Sequence, residues 1–359
     1  MRPLRILLSV PAPHRDVHAD ELDALTRLGV ALRARGHEVI RWQPGSRVAD
    51  ASRWVHLQRL RVRELAYQLT RMLLAGAPVF DVLVVVGGDV HGASFLRRLR
   101  QRGIRVVMIV GDSIVAAMPR VAWHDAAGVD IVLATHEAAM ERARMMGIPP
   151  ERLFHLPPLV DLQAWQPPDG RTRDHLRQQL SASPDHVLFV ARPGVPDGPT
   201  ACCMLDAVRE ACREERQLRV VLVEAERAAA APSGPCSPGD EAIGRLTVDD
   251  PAALSRVLGG ADALVVGADA AGPSRIAEAM ALGVPVIVED TARDASLVVH
   301  GQTGLVVPHG HARALARAMQ SLAGDGMRRA RMRLLARRLE QWIGKGGRAS
   351  DAVAIASRH

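Results

Sequence analysis

The chain has 359 residues, 48% hydrophobic and 24% charged, a composition that excludes a disordered polymer, a collagen-like repeat and a disulfide-rich scaffold. Lys and Arg number 46 against 39 Asp and Glu, and the formal charge of +7 suits an anionic partner, while an aromatic content of 3% argues against a base-stacking platform for nucleic acid. No run reaches the ~20 apolar residues of a membrane span, and MRPLRILLSV followed by Pro11 and Pro13 reads as a first strand rather than a leader, so a cytoplasmic protein is expected.

Short β-branched runs alternate with helical patterns along the chain. The first predicted strands are Arg5–Val10, Glu38–Ile40, Val82–Val86, Val106–Val110 and Ile131–Ala134. Between them, apolar residues recur at helical spacing over Glu21–Arg35 and Ser94–Arg102. Gly36 and Gly103 each follow an Arg-rich helix end and precede a strand, the place of a left-handed helix cap. Trp54–Leu74 mixes leucines with arginines. It reads either as a basic amphipathic helix suited to an anionic lipid surface or as a sheet-covering helix with its arginines outward.

Prolines and mixed charges around Pro157–Arg173 mark a linker, after which the series starts afresh. Its strands are Val187–Val190, Arg219–Val223, Ala263–Val266, Val284–Val288 and Gly304–Val307. Apolar strands joined by helices predict parallel sheets covered on both faces. Two doubly wound Rossmann-like domains are therefore expected, at residues 1–165 and 166–325, with a basic C-terminal helix in 326–359. Ala228–Asp240 reads as a surface loop. Cys202, Cys203 and Cys212 fall in a predicted helix as small core residues of a reducing compartment.

Chemistry concentrates in residues 261–308. A strand ends at Val266, two glycines and a proline follow, and a helix begins near Ser274 and carries Glu278. A turn of this kind points backbone N–H groups and the positive end of a helix at one spot, which suits a phosphate. A carboxylate one turn along suits sugar hydroxyls. Asp112 stands at the C-terminal end of the strand VVMIV, where open α/β sheets present ligand groups, although it reads equally as a helix N-cap. Gly87-Gly88-Asp89 follows another strand end in the same way. His14, His18, His56, His91, His124 and His136 lack metal-ligand spacing. The chain has no Gly-Lys-Ser/Thr phosphate loop and no Gly-x-Ser-x-Gly elbow.

Five strings in order carry a resemblance: RARGHEV at Arg33–Val39, AGVDIVLATHEAAMERARMMGIPPERLFHLPPLVDLQAW at Ala127–Trp165, VLFVARPGVPDG at Val187–Gly198, GADALVVGADAAGPSRIAEAMALGVPVI at Gly260–Ile287, and HGQTGLVVPHG at His300–Gly310. Together they resemble the GT-B-fold retaining glycosyltransferases of the glycogen-synthase-like class, glycosyltransferase family 4. The resemblance implies two Rossmann-like domains facing each other across a cleft, with the last helix crossing back to the first domain. It also implies transfer of a sugar from a nucleotide-diphosphate donor, with no cofactor and no metal. By the same resemblance Glu278 holds the donor ribose. Arg192 matches the family's diphosphate-binding arginine, the backbone N–H groups near Gly272 and Ser274 face the same phosphates, and Asp112 stands where the family often has a histidine beside the sugar. The acceptor, whether glycan, glycolipid or secondary metabolite, is left open.

The chain departs from the family at several places. Ala270, beside Asp269, replaces the earlier of two glutamates, and Asp197 replaces a phosphate-binding lysine. Ala19 and Asp20 stand where the first-domain loop has a glycine pair, and Asp20 reads as an N-cap. A misplaced charge ~4 Å from a diphosphate costs about 4 kcal/mol at an effective dielectric of ~20. Arg275 is positioned to supply the missing cation or is a solvated surface arginine. The departures open a second expectation, a degenerate homologue acting as scaffold, protein partner or sugar-nucleotide binder.

Overall fold

The computed structural model of the chain describes residues 3–9, 19–42, 80–86, 99–111, 129–145, 147–156, 158, 160–162, 164–193, 199–224, 240–248, 251–267, 273–290 and 297–344. The chain divides into two units, Met1–Leu159 and Val160–His359.

The first unit contains β1 (Arg5–Ser9), α1 (Ala19–Ala34), β2 (Glu38–Trp42), β3 (Val82–Val86), β4 (Arg105–Val110), β5 (Ile131–Ala134), α2 (Glu137–Met145) and β6 (Leu153–His155). All strand pairs are parallel, in the order β2-β1-β3-β4-β5-β6. Leu83, Val106, Met108, Ile109 and Leu99 form its driest core, as unbroken apolar strands in a two-sided sheet require. Helix α1 starts at Ala19, so Asp20, expected as its N-cap, lies within the first turn instead. Gly36 and Gly103 do take the left-handed conformation, φ +83° and +76°, and each closes a helix end. The Gly36 N–H reaches Arg33 O and the His37 N–H reaches Leu32 O, the paired bonds of a Schellman cap.

The second unit contains α3 (Gly170–Gln179), β7 (Val187–Arg192), α4 (Pro199–Glu214), β8 (Leu218–Glu224), β9 (Ile243–Thr247), α5 (Pro251–Gly260), β10 (Ala263–Val266), α6 (Pro273–Ala281), β11 (Val286–Glu289), β12 (Gly304–Val307), α7 (Ala312–Gly324) and α8 (Gly326–Gly344). Its sheet is also parallel, in the order β12-β11-β10-β7-β8-β9. Strand periodicity splits the core into two layers. Leu188 and Val190 pack with Ile276, Ala279 and Met280 of α6, while Val187, Phe189 and Ala191 pack with Met204, Ala207 and Val208 of α4 and with α7.

The structure moves some sequence expectations. Val160, Leu162 and Trp165 pack in the second unit's core, so the division falls after Leu159 rather than at 165. Residues 326–344 likewise contribute Ala336 and Leu339 to that core. The expected C-terminal helix in 326–359 is described as far as Gly344, and residues 345–359 lie outside the described residues. Cys202 is exposed, and Cys203 and Cys212 are only partly buried. The inward stripe of α4 is Thr200, Ala201, Met204, Ala207, Val208 and Ala211, and Cys202 lies off it. Trp54–Leu74 and Ala228–Gly239 lie outside the described residues. None of the described helices is long and apolar enough to cross a membrane.

Gly304 shows how tightly β12 is seated. A Cβ there would lie 2.1 Å from Val286 O, in the neighbouring strand, and 2.8 Å from Val298 Cγ1. Neither the carbonyl nor the packed valine can retreat without breaking the ladder. Gly304→Ala is expected to destabilise the protein by about 3 kcal/mol or more, measurable as a lowered urea midpoint. An unchanged midpoint would show that the β11–β12 ladder yields freely.

Candidate functional site

The strand order of the second domain identifies one edge as special. From β7 the chain steps to β8 and β9 on one side, then returns to place β10 on the other. The helices that follow β7 and β10 diverge, α4 to one face and α6 to the opposite face. Ligands of open α/β sheets bind outside the strand carboxyl ends at such a reversal. In the first domain the corresponding position lies between β1 and β3, but the segments after them, residues 10–18 and 87–98, are outside the described residues.

Arg192 is the last residue of β7 and pairs in register with Val266, the last of β10. The alternation that sends Leu188 and Val190 toward α6 sends Arg192 the same way. The two strand ends are locked beyond the ladder, because the Gly267 N–H donates to Arg192 O at 3.0 Å. A Cβ at Gly267 would stand 2.9 Å from Pro193 O and 3.1 Å from a Thr200 methyl, so only glycine lets the two chains approach so closely. Sequence reasoning passed over Gly267, although a glycine directly after an apolar strand is a signal for close approach.

Helix α6 supplies the other groups. Pro273 is its first residue, where a missing N–H costs nothing, and its free first-turn N–H groups carry the positive end of the helix dipole. Arg275 and Glu278 lie on one side of α6 at i, i+3 spacing. Arg275 Nη1 donates to both carboxylate oxygens, at 3.1 and 2.8 Å. Glu278 is only 1% exposed, whereas the Arg275 side chain is 29% exposed.

Arg192 stands close enough to both for their charges to act on it. Burial lowers its pKa below the ordinary guanidinium range, the Arg275 charge lowers it further and Glu278 opposes them. One of its nitrogens, Nη1, is buried without a hydrogen-bond partner among the described residues. Buried polar groups are normally satisfied, so a desolvated guanidinium with a spare donor is poised for an acceptor from outside the chain. The trio carries one net positive charge, two guanidiniums against one carboxylate.

The structure thus brings Arg192, Arg275 and Glu278 together. Ser274 lies in the first turn of α6, where its side chain is not described, and Gly272 lies just outside the described residues. Asp112, Asp197, Asp269, Ala270 and Asp89 are also outside them. The i, i+3 ion pair was written in the sequence as Arg-Ile-Ala-Glu. Among the described residues no cluster of His, Cys, Asp or Glu could hold a metal ion.

A second charged cluster lies at the opposite, amino-terminal edge of the same sheet. Asp262, just before β10, accepts the Leu188 N–H at 2.9 Å and faces Arg173 at 2.7 Å, Arg177 at 2.8 Å and Arg333 at 3.5 Å. The arginines also bond the Gly260 and Ala261 carbonyls at the end of α5. This cluster joins α3, α5 and α8 to the sheet.

The chain is similar to known proteins in both sequence and fold. Residues 184–325 match the family described as glycosyl transferases group 1. The D-inositol 3-phosphate glycosyltransferase of Jonesia denitrificans is 28% identical over 244 residues, which span 64% of this chain and 56% of that enzyme, so the match covers little more than half the relative's length. A glycosyltransferase from Rickettsia africae superposes with a TM-score of 0.71 at 12% identity, covering 94% of this chain and 93% of that one. Anabaena HepE in complex with UDP gives 0.67 at 13% identity over 99% and 98% of the two chains. HepE in complex with UDP-glucose gives 0.65 at 14% identity over 98% and 99%. The chain therefore has the GT-B fold of these solved glycosyltransferases, and residues 184–325 of its second domain are similar to the group 1 glycosyl transferases.

Proposed function

We propose that the protein is a retaining glycosyltransferase that moves a sugar from a nucleotide-diphosphate donor to an acceptor hydroxyl. One observation carries this reading: the desolvated Arg192 guanidinium, with a spare buried N–H, stands beside Arg275 and Glu278 at the strand ends where the sheet order reverses. An incompletely paired buried cation costs stability, and a diphosphate supplies what it lacks. The group 1 match over residues 184–325 supports the same donor chemistry.

In this reaction the bond between the sugar's anomeric carbon and the donor phosphate oxygen breaks. The acceptor oxygen bonds to that carbon on the same face, and the acceptor proton passes to the departing phosphate. Arg192, Arg275 and the α6 N–H groups beside Gly272 and Ser274 neutralise charge as it grows on the leaving group, the largest lever available to such a site. Glu278 accepts the ribose hydroxyls. These groups carry the diphosphate without a metal. Asp112 takes the place beside the sugar, and the acceptor is a glycan, a glycolipid or a secondary metabolite.

The test is a thermal-shift panel of UDP, GDP and ADP at millimolar concentration. One of them is expected to raise the melting temperature, since ligand at 100 times its Kd adds about 2.7 kcal/mol. The corresponding sugar nucleotides, followed by NMR, are expected to release sugar slowly with its anomeric configuration first retained. Three nucleotides without effect would sink the reading. Binding with no turnover under any acceptor would leave a sugar-nucleotide binder.

A further inference from the structure

Glu278 poses a problem for any ligand. At 1% exposure its carboxylate is closed to an incoming hydroxyl, and Arg275, 29% exposed, holds both of its oxygens through one nitrogen. Arg275 is itself unfavourably placed. It sits in the first turn of α6, at the positive end of the helix dipole, and within reach of the like charge of Arg192. Glu278 is what holds it there. Two features therefore coincide: a buried carboxylate held by a partly exposed cation, and a cation crowded by other positive charge.

We propose that Arg275 is an exchangeable cap on the nucleoside subsite. This rests on the donor-binding reading above. In the free protein the guanidinium occupies Glu278. When a donor arrives, its diphosphate settles between Arg192 and the α6 N-terminus and offers Arg275 a stronger, doubly charged partner. Arg275 turns from the carboxylate to the phosphate, and the ribose hydroxyls replace its two hydrogen bonds to Glu278. No bond is made or broken covalently; one ion pair is traded for another. The nucleoside is then recognised well only when phosphates accompany it. The site discriminates against bare nucleosides because they must displace Arg275 without giving it a new partner. The alternative arrangement, in which Arg275 stays on Glu278 and bridges to the phosphate, predicts that removing Arg275 never helps a nucleoside.

The experiment compares the diphosphate that binds best among UDP, GDP and ADP with its own nucleoside, using calorimetry for the first and competition for the second. In Arg275→Met the nucleoside is expected to bind about tenfold tighter than in wild type, and the diphosphate about tenfold weaker, the usual scale for a charge-assisted bond. Arg275→Ala is expected to move both constants with the same signs. Nucleoside binding that is unchanged or weaker in both variants overturns the exchange. That outcome is separate from failure of the donor reading, in which wild type binds none of the three diphosphates.

Discussion

Replacing Arg192 by methionine is expected to make the free protein more stable and the donor-bound protein far less so. The guanidinium is desolvated, repelled by Arg275 and left with a buried N–H unpartnered among the described residues. Putting an apolar side chain of similar length in place of an incompletely satisfied buried charge is often stabilising, by about 1–4 kcal/mol. The face of β7 that Arg192 shares with Leu188 and Val190 packs in an apolar core with Ile276 of α6, a setting suited to methionine. Losing an arginine–phosphate contact costs about 2–3 kcal/mol of binding, or about 30- to 150-fold in Kd. Arg192→Met should therefore raise the melting temperature by a few degrees without nucleotide and lose most of the nucleotide-induced shift. Opposite signs in one variant distinguish a ligand-directed residue from a structural one. If the variant lowers stability and leaves Kd alone, Arg192 is scaffolding.

Asp262→Ala is expected to be the most destabilising substitution among the described polar residues. It leaves Arg173, Arg177 and Arg333 facing one another with no carboxylate between them, and Arg177 is almost wholly buried. Breaking a buried pair by removing one partner costs about 3–5 kcal/mol, on the order of 10 °C in melting temperature for a domain of this size. A second substitution, Arg333→Leu, should recover part of the loss by removing one of the repelling charges. The pH dependence follows from the same cluster. Burial pushes the Asp262 pKa up, but the Leu188 N–H and the charges of Arg177 and Arg173 outweigh it, and the folded value lies below the ordinary one. Its contribution is thus fully present above the unfolded value, about 4, and is lost as pH falls through the folded value. Acid unfolding followed by circular dichroism should therefore show a shallower slope in Asp262→Ala below about pH 4. An identical slope would remove Asp262 from the account.

Strands such as VLVVV at Val82–Val86 and ALVV at Ala263–Val266 were legible because a sheet covered on both faces selects unbroken apolar runs. Strands β6 and β9 were not. Leu153–His155 is three residues long, and Ile243–Thr247 carries a glycine and an arginine on a largely solvent-facing edge. Edge strands are selected for shortness and charge, which erases the pattern by which they would be recognised. The site divides along similar lines. Glu278 and Arg275 could be found because three positions on a helix are neighbours by construction. Arg192 needed the family resemblance, and its nearness to α6 needed the strand order. The Asp262 cluster was invisible: Arg173 and Asp262 are 89 positions apart, and only the return of β10 beside β7 brings them together.

That return has a consequence for how the chain comes off the ribosome. β7 is first to emerge in its sheet yet sits in the middle of it, with β8 and β10 on its flanks. Its right-hand and left-hand neighbours arrive at different times, the second only after some seventy further residues have been made, counting from Arg192 to Ala263. During that interval one flank of a strand apolar in all but its last residue stays open to any passing chain. Translation speed between those two points, rather than the strength of the finished fold, should therefore govern how much of the newborn protein is lost to aggregation.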